Sequence, residues 1–462
     1  MRNIFKILNL IFVSLSLIPI MVTAGEKQYF PSDTDIQALI QSRIDHKGAI
    51  GIVVGLIEAD GSTRVFTAGE SGHKSQPLSE LSVFEIGSIT KVFTSILLAD
   101  MVAKDELTFE DPVAKFLPKD KVTMPTRAGK EILLLDLSTH YSGLPRMPDN
   151  FKPADASNPF ADYTIEQMYD FLSNHNLRRD IGEQAEYSNI GVGLLGHVLA
   201  RVNSSTYEEL LRNRILEPLG MKQTVITMND YIRKLHVKGH DQEGNVVPNW
   251  DIVTLEGAGA LRSNMKDMLK FMAANIGPAE SPLEEAMRTS HEVRKIFSGN
   301  MDIGLNWIIL NQGDNKIIWH NGGTGGYHSF AGFDPVKRVA IVLLTNSSHD
   351  NDDIGLHLLN PSLPLREPPK ERTEVKVAAN ILDSYIGEYQ LQENFIITIT
   401  VEGGTIWAQA TGQSNFQIYP ESKYEFFYKV VDAQITFEAN DAGEITALVL
   451  HQGGADMRAP KQ

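Results

Sequence analysis

Residues 83–102 read VFEIGSITKVFTSILLADMV, placing Ser88 and Lys91 three apart at the head of an apolar run. The spacing alone is cheap, because the chain also carries Ser71/Lys74 and Ser263/Lys266. Context separates the three. Ser71 sits in a polar, Gly-rich loop with no predicted helix after it, and Lys266 continues an ordinary amphipathic pattern with its side chain in solvent. After Ser88, by contrast, Val92, Phe93, Ile96, Leu97, Leu98, Met101 and Val102 cover most of a helix circumference, which predicts a buried helix over 88–104. Lys91 then lies one turn from Ser88 on the same face. An ammonium there is costly unless paired or deprotonated, and the positive end of the helix dipole disfavours it further. A lysine so placed can accept the Ser88 proton and activate the hydroxyl. The competing reading of this stretch is Ser88 as a helix N-cap with Lys91 reaching out to water.

Working outward, 49–58 and 63–69 are β-rich runs split by Asp60-Gly61, a hairpin signal. Far along the chain, 316–321, 327–334 and 339–346 read as three more strands with Gly-rich or Asp-Pro turns. Both ends therefore read as parts of one antiparallel sheet. The sequence between them is mainly helical, at 165–174, 190–202, 206–216 and 264–275. A sheet closed by distant segments around a helical insert predicts a cleft between the two. Residues 361–379 are Pro-rich and charged and read as a linker. Beyond them, 380–462 reads as a small all-β domain with strands at 394–401, 405–411, 424–431, 433–438 and 445–451, an up-and-down barrel or half-barrel. The expected class is α/β (α+β): an antiparallel sheet flanked by helices over 33–360, followed by the barrel-like domain.

The N-terminus has Arg2 and Lys6, an apolar run and Val22-Thr23-Ala24, the pattern of a secretory signal peptide over 1–24. An uncleaved anchor is the competing reading, opposed by the polar Asn9, Ser14 and Ser16 and by Pro19. Cleavage would remove two cations and no acid, taking the formal charge from −16 to −18. The expected product is periplasmic or secreted, with no stable membrane span, and too acidic to bind nucleic acid. The chain has no cysteine, which excludes thiol catalysis, Fe–S ligation and a Cys-linked lipid anchor. The 13 histidines show no H-E-x-x-H spacing, and Asp350–Asp353 lacks a coordination-loop pattern, so no metal is expected. Gly322–Gly326 follows a strand without a helix after it; no phosphate loop and no cofactor are implied.

A Ser/Lys pair needs helpers, and two stretches supply them. EYSNIGVGLLGHVLA carries Tyr187 and Asn189, the one Y-x-N of the chain, just before a helix. A tyrosinate beside Lys91 can act as a base and then as an acid toward a leaving group, and Asn189 can hydrogen-bond Lys91 and a substrate amide. The alternative is a buried structural tyrosine followed by an Asn cap. KIIWHNGGTGGYHSF places His320-Asn321-Gly322 at the end of a strand that should flank the buried helix, with glycines that admit a substrate backbone. H-x-G recurs at His46 and His451, which read as surface residues.

Ser88-Ile-Thr-Lys91, Tyr187-Ser-Asn189 and His320-Asn-Gly322, in that order, resemble the three active-site elements of the class C β-lactamase and penicillin-binding-protein family of serine hydrolases. LLLDLSTHYSGLP (133–145), ILEPLGM (215–221), GAGALRSNMKDMLKF (257–271) and HNGGTGGYHSFAGFDP (320–335) extend the resemblance over roughly 33–360. It implies that Ser88 forms an acyl-enzyme while Lys91 and Tyr187 share the proton transfers. The backbone N–H groups of Ser88 and Gly323 would form the oxyanion hole, and Asn189 would position Lys91 and the acyl amide. Gly322, Gly323 and Thr324 would bind substrate. His320 stands where many members carry the lysine of a K-T-G triad, and a largely neutral histidine offers less fixed charge to a substrate carboxylate. Members with H-x-G resemble D-amino-acid peptidases and esterases as much as β-lactamases. The resemblance thus implies a hydrolase of D-alanyl-D-alanine-type peptidoglycan amides that reacts with β-lactams. A β-lactamase proper, an esterase or D-aminopeptidase, and a catalytically silent cell-wall-binding protein are the alternatives. The C-terminal β-domain resembles the small barrel-like domain appended to some family peptidases and is assigned no catalytic residue.

Overall fold

The run GIVVGLI forms β1 (Gly51–Ile57), and every residue of it is buried. Continuous burial, in place of alternation, is what a strand covered on both faces requires. Val53 and Ile57 enter one core while Ile52, Val54 and Leu56 enter another. β2 (Thr63–Gly69) folds back on β1 through the turn at Asp60-Gly61, where Gly61 adopts φ +84°. The remaining strands of this sheet come from the far end of the unit: β3 (Lys295–Ser298), β4 (Met301–Ile303), β5 (Ile308–Gln312), β6 (Asn315–Gly323), β7 (His328–Asp334) and β8 (Val339–Thr345). The eight strands lie in the order β2-β1-β8-β7-β6-β5-β4-β3, antiparallel throughout, with Val54 opposite Leu343 where the two ends of the chain meet. The expected closure of one sheet by distant segments is observed. The edge strands β3 to β5 were not expected.

The computed structural model describes residues 28–462 apart from 278–280, 313–314, 367–371, 393–394, 412–414, 430–432 and 453–454. The signal segment expected over 1–24 and part of the expected linker lie outside the described residues. Among the described residues, no helix is long and apolar enough to cross a membrane. The chain divides into two units, 1–366 and 367–462.

In the first unit five helices matter to the site: α1 (Asp33–Asp45), α2 (Thr90–Ala103), α3 (Asn189–Val202), α4 (Met265–Ile276) and α5 (Asp352–Leu359). Ile36 and Ile40 of α1 and Ile354 and Leu358 of α5 cover one face of the sheet, against Ile52, Val54, Ile341 and Leu343. Met265, Met268, Phe271 and Met272 of α4 cover the other, and there the core continues into α2 and α3. Phe93 of α2 stacks on Phe271 with ring centroids 4.0 Å apart. Residues 90–101 of α2 are all buried, Lys91 included. Val92, Phe93, Ile96, Leu97, Leu98 and Met101, buried at about 1.5–3 kcal/mol each, outweigh keeping one lysine neutral, which costs about 1.4 kcal/mol per pKa unit. The helix expected over 206–216 breaks at Leu211 into a π turn over Arg212–Leu216.

The second unit is an up-and-down meander of eight antiparallel strands, from β9 (Gly387–Gln392) to β16 (Ala455–Pro460). Alternate residues such as Ile397, Ile399, Ile406, Ile435, Phe437 and Leu448 fill its interior with Tyr385 and Tyr389. An antiparallel bridge between Tyr389 and Lys461, with Gln462 N–H donating to Glu388 O at 2.9 Å, brings the first and last strands together in a nearly closed barrel.

Candidate active site

The chain enters α2 through a 3-10 turn, Gly87–Ile89, and no side chain caps either element, so Ser88 does not act as the N-cap. Thr90 Oγ1 instead donates to Gly87 O at 2.7 Å and accepts from Leu261 N–H at 3.2 Å. Below the turn, Val83–Glu85 pairs with Arg262–Asn264, and Ile86 N–H donates to Leu261 O. The Ser88 hydroxyl is thereby left to Lys91, whose Nζ lies 2.8 Å from Ser88 Oγ and 2.6 Å from Ala258 O. Lys91 is fully buried. Burial first, then the Arg146 charge, holds its ammonium well below the usual lysine range. The solvent-reaching alternative for Lys91 is thus excluded.

Tyr187 precedes α3, which is capped by Ser188, not Asn189: Ser188 Oγ accepts from Gly191 N–H at 2.9 Å. The Tyr187 ring sits at the centre of the site. Lys91 Nζ is 4.8 Å from its centroid, the Arg146 guanidinium 5.0 Å, the His140 ring 4.5 Å and the His320 ring 6.2 Å. Burial pushes its phenol up to about 12, against the opposing pull of the Ser88 hydroxyl and of Arg146. A resting tyrosinate, one of the expectations from sequence, is therefore disfavoured. His140 is buried and accepts from Ser188 N–H through Nδ1 at 3.1 Å, which fixes the ring beneath Tyr187. The expected bond from Asn189 to Lys91 is not made. Ala258 O and Ser88 Oγ take up Lys91 Nζ, and Asn189 Nδ2 donates to Met147 Sδ at 3.5 Å. Asn189 instead lines the cleft.

The end of β6 closes the third side. Gly322 lies against the chain before Ser88, where an added Cβ would come 2.0 Å from Ile86 O. Gly87 holds φ +48°, and a Cβ there would come 2.8 Å from Gly323 N, so the Gly323 amide abuts the Ser88 turn. Only glycine fits either position without displacing backbone. His320 is buried, with Nδ1 on Asn321 O at 2.5 Å, and burial followed by the Lys91 charge pushes its imidazolium down to about 3. It is neutral at pH 7. Asn321 Nδ2 donates to Asp352, which also holds His328 Nε2 at 2.7 Å and so ties β6 and β7 to α5. Asp350, the third member of that acidic cluster, is paired with Arg366 at 3.1 Å.

These residues open onto a cleft of about 320 Å³. Ser88, Asn189, Gly323 and Thr324 form its polar side, and Met147, Phe151, Phe160, Trp250, Ile252 and Leu255 its apolar wall. Phe160 packs tilted between Phe151 and Trp250, with ring centroids 5.1 and 5.2 Å away. Sequence reasoning singled out neither His140 nor Arg146, although the stretch at 133–145 holds the first and ends beside the second. The Ala258 carbonyl left no side-chain signal at all.

Residues 36–359 match the family described as beta-lactamase, and 371–460 match a domain of unknown function, DUF3471. The chain is 32% identical over 321 residues to the D-alanyl-D-alanine-carboxypeptidase/endopeptidase AmpH of Escherichia coli (strain K12), covering 65% of this chain and 80% of that one. It is 26% identical over 358 residues to a beta-lactamase of Pseudomonas fluorescens, covering 69% and 95%. The solved octameric penicillin-binding protein homologue from Pyrococcus abyssi aligns with a TM-score of 0.64 at 23% identity over 93% of this chain and 100% of that one, a likeness of fold. With its Ser88–Lys91 helix inside a match over 36–359 that spans most of its length, the chain belongs to the β-lactamase family of serine hydrolases.

Proposed function

We propose that the protein is an exported serine hydrolase that acylates Ser88 with D-alanyl-D-alanine-type amides of peptidoglycan stem peptides and also reacts with β-lactams. The observation that carries this reading is the buried Lys91 Nζ, held 2.8 Å from Ser88 Oγ with its ammonium form disfavoured. A neutral amine there takes the Ser88 proton as Oγ attacks the substrate carbonyl. The developing oxyanion is met by the N–H groups of Ser88 and Gly323; one such donor is worth roughly 3–4 kcal/mol. Tyr187, a phenol at neutral pH, relays the proton from Lys91 to the departing amine, and the C–N bond breaks to leave the acyl-enzyme. Water then attacks the ester as Lys91 takes its proton, and Lys91 returns that proton to Ser88 Oγ as the acyl C–O bond breaks, releasing the acid and restoring Ser88. Asn189, facing the cleft, holds the acyl amide. These roles belong to the domain over 33–360; the β-domain over 380–462 has none. The similarity to a carboxypeptidase/endopeptidase supports the substrate class, and the signal-like N-terminus supports periplasmic action.

Intact-mass spectrometry with benzylpenicillin tests the reading. A lasting adduct on the protein, absent in Ser88→Ala, is the expected result. Fast loss of penicillin without an adduct would instead make the protein a β-lactamase. The apolar wall of Phe151, Phe160 and Trp250 favours one second reading, an esterase of apolar acyl groups through the same acyl-enzyme. Faster turnover of 4-nitrophenyl esters than of D-alanyl-D-alanine peptides would select it.

A further inference from the structure

Of the described residues that line the Ser88 cleft, Arg146 alone carries a charge, and no acid lines it. Arg43, Arg214 and Arg262 each pair with a carboxylate elsewhere in the chain. Among the described residues the Arg146 guanidinium meets no acceptor; it lies over the Tyr187 ring, 5.0 Å from the centroid. Its position is fixed from the backbone, since Arg146 O accepts from Asn189 N–H at 2.9 Å. Met147, the next residue, holds the Asn189 side chain. Arg146 therefore belongs to the flank of the cleft that Asn189 occupies, where the acyl amide binds, and not to the β6 end with Gly323 and Thr324. At that end His320 is neutral and offers no fixed positive charge.

We propose that Arg146 binds a carboxylate carried on the acyl side of the substrate, a few bonds from the reacting carbonyl, so that anionic acyl donors are the preferred class. The inference rests on the acyl-enzyme reading above. A planar guanidinium held over an aromatic ring presents its edge to a carboxylate with little further ordering. No other charged side chain lines the cleft, so Arg146 is the one ionic partner its lining residues offer an incoming anion, which makes the contact selective. Because Arg146 is exposed, the gain is that of a partly solvated charge pair.

The test compares 4-nitrophenyl hydrogen adipate with 4-nitrophenyl hexanoate, which share a leaving group and differ by the terminal carboxylate. The adipate-to-hexanoate ratio of kcat/KM is expected to fall about tenfold in Arg146→Gln, chiefly through a higher KM for the adipate, and to be partly kept in Arg146→Lys. The wild-type ratio should also fall with added salt. An unchanged ratio in Arg146→Gln, with both esters slowed alike, would overturn the assignment and leave Arg146 as a support for Tyr187. If neither ester is turned over and a fluorophosphonate fails to label Ser88, the acyl-enzyme reading falls and this inference with it.

Discussion

Ser263 and Lys266 repeat the spacing of Ser88 and Lys91 within the same unit, but they end in a different place. Lys266 is exposed, and the Ser263 hydroxyl is spent on Thr224 Oγ1 at 2.8 Å. The two lysines begin helices of different kinds. α4 is amphipathic, with Met265, Met268 and Phe271 toward the sheet and Lys266 toward water. α2 is buried around its circumference, so its lysine has nowhere to take a charge. The serine-lysine spacing places two side chains together; burial of the lysine turns the pair into a base and a nucleophile.

The largest effect expected from this comparison is on acylation. Ser88→Ala should abolish the benzylpenicillin adduct and lower turnover on the order of 10⁴-fold or more, while Ser263→Ala keeps the adduct and loses about 1 kcal/mol of stability with its hydrogen bond. Equal loss in both variants would break the comparison. Lys91→Met comes next, with kcat reduced roughly 10²- to 10⁴-fold. Its Tm should hold or rise, because a thioether replaces a buried amine of similar length. Lys266→Met should leave both quantities nearly unchanged, within about 0.5 kcal/mol. A smaller loss, on the order of 10²-fold or less in the acylation rate constant, is expected for Gly87→Ala, whose Cβ would push on the Gly323 amide. Arg262, which precedes Ser263, shows that no such demand exists at the second site.

Acid sharpens the contrast further. Acylation needs neutral Lys91, so its rate should fall as the pH drops through the lowered Lys91 pKa, with unit slope in a stopped-flow pH series. Stability should fall in acid as well. His236, His291 and His320 are each pushed by burial to about 3, whereas an unfolded histidine protonates near 6.5. Below 6.5 the unfolded chain binds protons that the native state refuses, costing up to about 1.4 kcal/mol per pH unit for each histidine until pH 3 is approached. Thermal unfolding followed from pH 7 to 5 should show Tm decline over that window.

The buried helix, the Y-x-N pair before α3 and the glycine-bearing end of β6 were legible because each rests on side-chain types at fixed spacing. β1 and β8 were legible because strands covered on both faces are continuously apolar. What escaped had weaker signatures. β3 lies at the sheet edge and has exposed or half-buried residues such as Lys295 and Ile296, so its pattern resembles a loop. α1 buries little beyond Ile36 and Ile40 and is mostly polar. The Asn189 bond was misassigned because tertiary packing brought a backbone carbonyl, Ala258 O, to Lys91 first. His140 acts through Ser188 N–H, and a backbone donor leaves no trace in a pattern of residue types.

The pairing of β1 with β8 has a consequence in time. During synthesis β1 emerges early, yet its neighbour, ending at Thr345, emerges only after the whole helical insert has been made. Until then the buried positions of β1 lack half their cover, and closing so long a loop must precede the contacts that reward it. Folding of this unit is therefore expected to be slow, with the sheet completed late. The Gly323 amide reaches the Ser88 turn on a strand made nearly as late, so Ser88 and Lys91 wait for their oxyanion donor until the sheet has closed. The topology itself keeps the nucleophile silent in the unfinished chain.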